Sequence, residues 1–462
     1  MITKPTLNLT DLKSNITGEV ISPNDASYEE SRKLYNGMID KKPALIVKCK
    51  DKNDIIAALH FAKENELEIA IRSGGHNGAG LGSCDYGLSI DLSPMKQIIV
   101  DPVNKTARVE AGCTLGEIDQ KTQEYGLALP SGIVSTTGIG GITLGGGLGY
   151  LTRKCGLTID NLLEADVVLA DGSVVVANEK ENIDLFWALR GGGGNFGIVT
   201  SFLFQLHEIS EVYGGPMFWP LEQAKEAMLF YRDIMASADN DLYGFFAFLT
   251  VPPGEPFPAH LHNQTVCGIV WNYTGPAGKR EEVFAPIRAF GPPILDFVGP
   301  IPIPALQSMF DALYPTGMQW YWKSDFFKEL TEEAMDEFIR HGANTPKGLS
   351  TMHLYPVDGK AREVAQDKTA WQHRDARWVE VIVGVDPDPA NKDVIINWCR
   401  GYYDATHSYA SGGTYVNFMM EEDNGRIEST YGSHLERLAR IKKKYDPTNL
   451  FHINQNIKPT VV

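Results

Sequence analysis

Short apolar runs alternating with polar helical stretches set the pattern of the first part of the chain. The segment PALIVKC, residues 43–49, reads as a short buried strand. It is followed by DKNDIIAALHFAKENE, in which Ile55, Ile56, Leu59 and Ala62 recur at helical spacing. LEIAIR then alternates like a strand and runs straight into a glycine-rich loop. Strand, helix and strand in that order predict a βαβ unit. Its loop falls at a strand's carboxyl end, where α/β folds commonly bind ligands. Further strands are predicted at GLSIDL, QIIVD and TARVEAG. Thr114 and Glu117 have the spacing of a capping box for the helix LGEIDQKTQEYG. ADVVLADGSVVVAN predicts a β-hairpin with Asp171-Gly172 as its two-residue turn.

Beyond residue 210 glycine thins out and the strands turn aromatic: YGFFAFLTV, MQWYWKSDFF, STMHLYPV and ARWVEVIVGV. The amphipathic helices LEQAKEAMLFYRDIMA and LTEEAMDEFIRHG lie between them. This pattern predicts an antiparallel sheet with helices on one face. GPPILDFVGPIPIP reads as a loop. SHLERLARIKKKY reads as a helix, with RIKKK as a solvated face rather than an anion site.

Composition narrows the class. A chain of 462 residues can form one large or two to three ordinary domains. With 43% hydrophobic and 22% charged residues it reads as an ordinary soluble protein. A net charge of −16 argues against a nucleic-acid or anionic-membrane partner. No apolar run reaches the roughly 18 residues that span a bilayer. The N-terminal MITKPTLNLTDLKSN is polar, so no secretory signal is expected. Six scattered cysteines without CxxC spacing point to reduced thiols in the cytoplasm. With neither HExxH nor clustered Cys/His, no metal site is expected.

Three glycine clusters change the picture. They are IRSGGHNGAGLGS (Ile71 to Ser83), SGIVSTTGIGGITLGGGLG (Ser131 to Gly149) and LRGGGGNFGIVTSF (Leu189 to Phe202). The third contains GxGxxG at Gly192, Gly194 and Gly197. A helical DLFWALR precedes it and a strand-like IVTSFLF follows, the reverse of the Rossmann order. There is no GxxxxGK[ST]. One such cluster would merely make turns. Three, with Arg72-Ser73 in the first and Ser135, Thr136 and Thr137 in the second, predict an extended phosphate-bearing ligand along backbone amides. His76 in the first loop is open to three readings: a structural group, a metal ligand or a covalent attachment point.

RSGGHN, GGITLGGGLGYLTRKCGLTIDNLLEA, DLFWALRGGGGNFGIVTSF and YDPTNLFHINQNIKP together resemble the berberine bridge enzyme-like branch of the vanillyl-alcohol oxidase flavoprotein superfamily. The likeness is close before residue 210 and in the last segment; the centre shares only general texture. It implies an α+β fold. A two-part FAD-binding domain, residues 1–209 and 414–462, would flank a substrate domain, residues 210–413, with an antiparallel sheet covered by helices. The resemblance also implies FAD bonded through its 8α-methyl carbon to His76. Cofactor contacts are implied for Arg72, Ser73, Gly74, Gly75 and Asn77, and for Thr136, Thr137, Gly138, Gly140, Gly141, Gly145, Gly146 and Gly149. They are implied too for Gly197, Ile198, Val199, Asn417 and Asn454. Many relatives carry a second, cysteinyl link within C-x-T-V-G-x-G-G-H. Here VSTTGIGGI puts Val134 and Ile142 where the cysteine and histidine would stand. A single link is therefore implied, as in 6-hydroxy-D-nicotine oxidase-like members. Cys155 then reads as a small buried hydrophobe.

A flavin accepts a hydride at N5, so the protein must present a substrate C–H and manage a proton. In RDARWVEVIVGV, alternation puts Trp378, Glu380 and Ile382 on one side and Arg377, Val379 and Val381 on the other. Glu380 lies between apolar residues, a setting that raises a carboxylate's pKa and suits a general base. The alternative is a solvent-facing place on a sheet edge. The resemblance implies that Tyr415 of YVNF assists deprotonation, although Phe418 stands where many relatives have a second tyrosine. Trp320 and Trp322, opposed to Tyr321, are candidates for a pocket wall or simply for core. The expected activity is an oxidase that takes a hydride from a small alcohol, sugar or amine and passes electrons to molecular oxygen. Alternatives are a flavin dehydrogenase with another acceptor and a flavin-binding protein with vestigial chemistry. An NADPH-dependent reductase of sugar nucleotides is disfavoured by the context of His76.

Overall fold

A computed structural model describes residues 7–460, in which three sheets organise the chain. The first six residues of the polar N-terminal stretch lie outside the described residues. The first sheet has four strands, in the spatial order Glu19–Ile21, Leu45–Lys48, Leu88–Asp91, Ile69–Arg72. The expected helix follows at Lys52–Glu64, capped by the Asp51 side chain, which accepts from the amides of Asn53 and Asp54. Its flanking strands are not neighbours, however. Leu88–Asp91, buried at all four residues, inserts between them and runs parallel to both.

The second sheet is antiparallel, in the order Ile98–Asp101, Thr106–Glu110, Ile198–Gln205, Leu162–Val168, Val174–Asn178. The Glu117 carboxylate accepts from the Thr114 amide at 2.7 Å and from its hydroxyl at 2.9 Å, and the helix Leu115–Gln123 follows. The hairpin of residues 162–178 forms, but its turn is displaced by one residue. The Gly172 amide donates to the Leu169 carbonyl at 2.9 Å, so Ala170 and Asp171 are central. Gly172 follows at φ 89°, a left-handed value that glycine adopts at little cost.

The third sheet has eight strands. Seven run in the order Leu295–Asp296, Glu211–Pro220, Thr265–Tyr273, Leu242–Thr250, Thr351–Pro356, Trp378–Asp386, Gln319–Phe327, and Gly299–Pro302 pairs beside Glu211–Pro220. Every pairing is antiparallel. The four aromatic runs supply four of its long strands. Glu211–Pro220 and Thr265–Tyr273 are additions. The proline-rich stretch is not simply a loop. It gives two short edge strands, where a missing N–H is tolerated, and the helix Ile303–Gln307.

Helix Lys392–Thr406 packs on the strands 378–386 and 319–327, and Ala224–Ser237 packs on Leu242–Thr250. The C-terminal helix spans Leu435–Tyr445. Its RIKKK run is not wholly solvated: Lys443 and Lys444 are exposed, but Lys442 is fully buried. Lys442 Nζ donates to Asp446 Oδ2 at 2.7 Å and to the carbonyls of Asn195 at 2.7 Å and Phe451 at 2.9 Å. Buried charge survives only with such complete pairing. All six cysteines are buried and unpaired, Cys155 among them. Among the described residues no helix is long and apolar enough to cross a membrane.

Candidate active site

The glycine loops converge because glycine alone lets their backbones touch. A Cβ on Gly74 would lie 2.3 Å from the Gly138 nitrogen, and one on Gly138 would lie 2.2 Å from the Gly74 nitrogen. Beside that contact the Ser73 hydroxyl donates to the Ala111 carbonyl at 2.6 Å and accepts from the Gly140 amide at 3.3 Å. The third loop joins through Gly191 and Gly193, whose amides donate to the Leu144 carbonyl at 3.1 and 3.0 Å. It lies between the helix Ile183–Leu189 and the strand Ile198–Gln205, so the reversed order read from the sequence is real.

A cavity of ≈ 330 Å³ runs between these loops and the third sheet. Of the residues expected to touch a cofactor, Arg72, Ser73, Gly74, Gly75, His76 and Asn77 line it. So do Thr137, Gly138, Gly140 and Gly141, then Gly197, Ile198 and Val199, and finally Asn417 and Asn454. Gly145, Gly146 and Gly149 do not. A Cβ at each would strike Asn417, Trp371 and the Ser131 carbonyl respectively, so they shape the second loop from behind. Thr136 is also off the wall, reaching it through His76, whose Nε2 is 3.1 Å from the Thr136 hydroxyl.

The His76 ring stacks on Tyr35 at 3.9 Å, and Tyr35 stacks on Trp320 at 4.9 Å. Burial pushes the His76 pKa down to about 4, so the imidazole is neutral at neutral pH. Among the described residues no group of three His, Cys, Asp or Glu stands ready for a metal ion. The walls carry unmet hydrogen-bonding capacity. Arg72 donates from Nη1 to the Ser31 carbonyl at 2.7 Å, while its buried Nε has no partner. Asn454 donates to the carbonyls of Gly194 and Phe451 at 3.0 Å each, while its buried Oδ1 has none. Gly141 and Gly194, both on the wall, would meet no protein atom within 4 Å of an added Cβ. Orphaned donor, orphaned acceptor and open glycine edges fit a long polar ligand such as a dinucleotide.

Tyr415 lies on the same cavity. Its hydroxyl accepts from the Gly147 amide at 2.8 Å and from Asn417 Nδ2 at 2.9 Å. Burial pushes its pKa up to about 12, so it is a neutral phenol at neutral pH. The sheet contributes Trp320 and Trp322, which are pocket wall as well as core, and Val381 and Val383. It also contributes Thr351, His353 and Tyr355, which the sequence reading passed over. Period-two spacing in STMHLYPV already puts those three on one face.

Glu380 is corrected. Alternation does separate it from Val381, but the Val381 side faces the cavity. Glu380 points to the opposite, helix-covered face, where its Oε2 accepts from the Thr406 hydroxyl at 2.9 Å. It is fully buried, not on a solvent-facing edge, and is out of reach of the cavity as a base.

Comparison with known proteins decides the family. A family profile described as "FAD binding domain" matches residues 43–178, and one described as "Berberine and berberine like" matches residues 414–458. An FAD-linked oxidoreductase of Dictyostelium discoideum is 34% identical over 448 residues, 96% of this chain and 95% of the relative. The chain belongs to the berberine bridge enzyme-like family of FAD-linked oxidoreductases. Solved members of similar fold include 6-hydroxy-D-nicotine oxidase from Arthrobacter nicotinovorans. That structure has a TM-score of 0.86 at 26% identity, over 96% of this chain and 98% of the other. Xylooligosaccharide oxidase from Myceliophthora thermophila in complex with xylobiose has a TM-score of 0.85 at 25% identity, over 98% and 99%. This berberine bridge enzyme-like protein is thus an α+β flavoenzyme.

Proposed function

We propose that the cavity holds FAD bonded through its 8α carbon to His76, with no second link. In this reading the enzyme takes a hydride from a small alcohol, sugar or amine and passes electrons to molecular oxygen. The observation that carries it is His76 itself: a neutral imidazole on the cavity wall, held by Thr136 and Tyr35 between glycine backbones. A neutral ring nitrogen is a competent nucleophile. Val134 and Ile142 line the cavity and carry no thiol or imidazole, which supports a single attachment.

When bound, FAD supplies two-electron acceptance of a hydride. Arg72 Nε and the amides of the glycine loops are the donors suited to its phosphates, and Asn417 and Asn454 offer polar edges. Tyr415, fixed by Gly147 and Asn417, keeps its proton and offers it as a hydrogen bond into the cavity. The aromatic sheet wall keeps water away from the reacting carbon.

The division into residues 1–209, 210–413 and 414–462 belongs to the same proposal. It is supported by the first two sheets using strands up to Gln205 and the third using strands from Glu211 to Asp386. Six unpaired thiols support a cytoplasmic setting.

Acid precipitation of the purified enzyme tests the reading: a yellow pellet is expected, and a colourless pellet from His76→Ala. Colour released into the wild-type supernatant would overturn the covalent link. Peroxide released when anaerobically reduced enzyme meets air supports the oxidase. Its absence turns the assignment to a dehydrogenase with another acceptor.

A further inference from the structure

The sheet side of the cavity contains a pair that the cofactor reading does not use. His353 and Tyr355 are two apart on the strand Thr351–Pro356, share its inner face and both line the cavity. His353 Nδ1 and the Tyr355 hydroxyl are 2.6 Å apart. The ring of Phe245 packs 5.0 Å from each of theirs. Among the described residues the Tyr355 hydroxyl has no other partner, and His353 Nε2 has none at all.

Tyr355 is 3% exposed, and a hydroxyl hydrogen in that setting needs an acceptor. Nδ1 is the acceptor within reach. A neutral imidazole that accepts at Nδ1 carries its hydrogen on Nε2. Burial pushes the His353 pKa down to about 3, so the ring stays neutral through the physiological range. The one charged side chain lining the cavity among the described residues is Arg72, in the first glycine loop. The sheet wall therefore offers the His353 N–H and aromatic faces, and no carboxylate.

We propose that His353, locked by Tyr355 as its Nε2–H form, determines specificity by donating a hydrogen bond to an oxygen of an uncharged substrate. This rests on the reading above and narrows it: of alcohol, sugar and amine, the pocket takes the uncharged oxygen compounds. An alkylammonium group has only donors and would face the His353 donor here. Its desolvation would find no carboxylate to offset it. A carboxylate would find that donor but no neighbouring cation on the sheet side. The arrangement makes His353 a neutral electrophile, not a base.

Two measurements on the holoenzyme test this. In long-range ¹H–¹⁵N spectra, His353 is assigned by its disappearance in His353→Gln. It is expected as the Nε2–H tautomer at pH 7, unprotonated down to pH 5, with the bias lost in Tyr355→Phe. An Nδ1–H tautomer, or protonation with a midpoint near the ordinary histidine value, overturns the proposal. Ligand-induced changes in flavin absorbance then compare benzyl alcohol, benzylamine and benzoate at pH 7. The alcohol is expected to bind about tenfold tighter than either ion, and His353→Leu to lose about tenfold of that affinity. His353→Gln, which keeps an N–H donor, should retain most of it. Benzylammonium or benzoate binding as well as the alcohol, no response to any of the three, or an unmoved alcohol affinity in His353→Leu overturns the proposal. Failure of the function itself is separately visible as a colourless acid pellet, because the nitrogen shifts are read with or without flavin.

Discussion

Glu380 illustrates how burial, more than any neighbour, sets a side chain's charge. Removal from water pushes its pKa well above the usual carboxylate range, with Asp325 adding repulsion, and its Oε1 has no hydrogen-bond partner. In the unfolded chain it ionises near 4.5. A carboxyl raised in the fold contributes stability below that value, and loses it as pH climbs towards the folded pKa. Glu380→Gln replaces the protonated acid with a neutral isostere. The variant is expected to melt at a higher temperature than wild type at pH 8, with the gap closing by pH 4.5. Its turnover is expected to be unchanged, because the residue faces away from the cavity; a loss of turnover would return it to the mechanism. Much at this scale was legible. Alternation separated Glu380 from Val381, and the motif around His76 marked a loop that lines the cavity. Which face of the strand helix Lys392–Thr406 would cover was not, because that depends on packing between distant segments. His353 and Tyr355 were readable as strand residues and unreadable as wall for the same reason.

At the scale of elements, loops were visible as compositions but not as contacts. The back-to-back approach of Gly74 and Gly138 needs both loops in place, and no local pattern encodes it. Gly74→Ala forces a methyl against backbone that has no flexible end to yield. It is expected to cost about 1–3 kcal/mol by overpacking and to lower the flavin carried per protein. Thermal melting and the ratio of flavin to protein absorbance measure the two effects; normal values of both would mean that the loops separate easily. The displaced hairpin turn has a local cause. Asp-Gly signals a tight turn correctly, but here glycine supplies the left-handed residue after the turn instead of its second corner. The proline-rich stretch misled because prolines exclude central strands while leaving edge strands open.

Across the whole molecule, buried ion pairs tie early sequence to the middle. Arg153 pairs with Asp358 at 2.7 Å and also donates to the carbonyls of Leu242 at 2.6 Å and Met235 at 3.0 Å. Arg374 pairs with Asp160 at 2.6 Å. These contacts bridge the segment after the second glycine loop and the third sheet's surroundings. Asp358→Ala strands the Arg153 charge and is expected to destabilise by about 3–5 kcal/mol. Chemical denaturation monitored by tryptophan fluorescence would record it as an earlier midpoint, and an unshifted midpoint would show that Arg153 finds water. The proposed two-part division was read only from family resemblance. Individual salt bridges of this kind were not, since charge spacing along a chain says nothing about partners two hundred residues away.

The cavity is walled by Arg72 to Asn77 on one side and by Ile453 to Gln455 on another. Synthesis delivers the first of these walls well before the second, because Asn77 precedes Ile453 in the chain. Until the tail emerges and Lys442 and Asp446 fasten it beside Asn195, the nascent enzyme has an open-sided groove where its clamp will be. Retention of the yellow cofactor is accordingly expected to need both segments, and a chain cut between Asn77 and Ile453 should purify colourless.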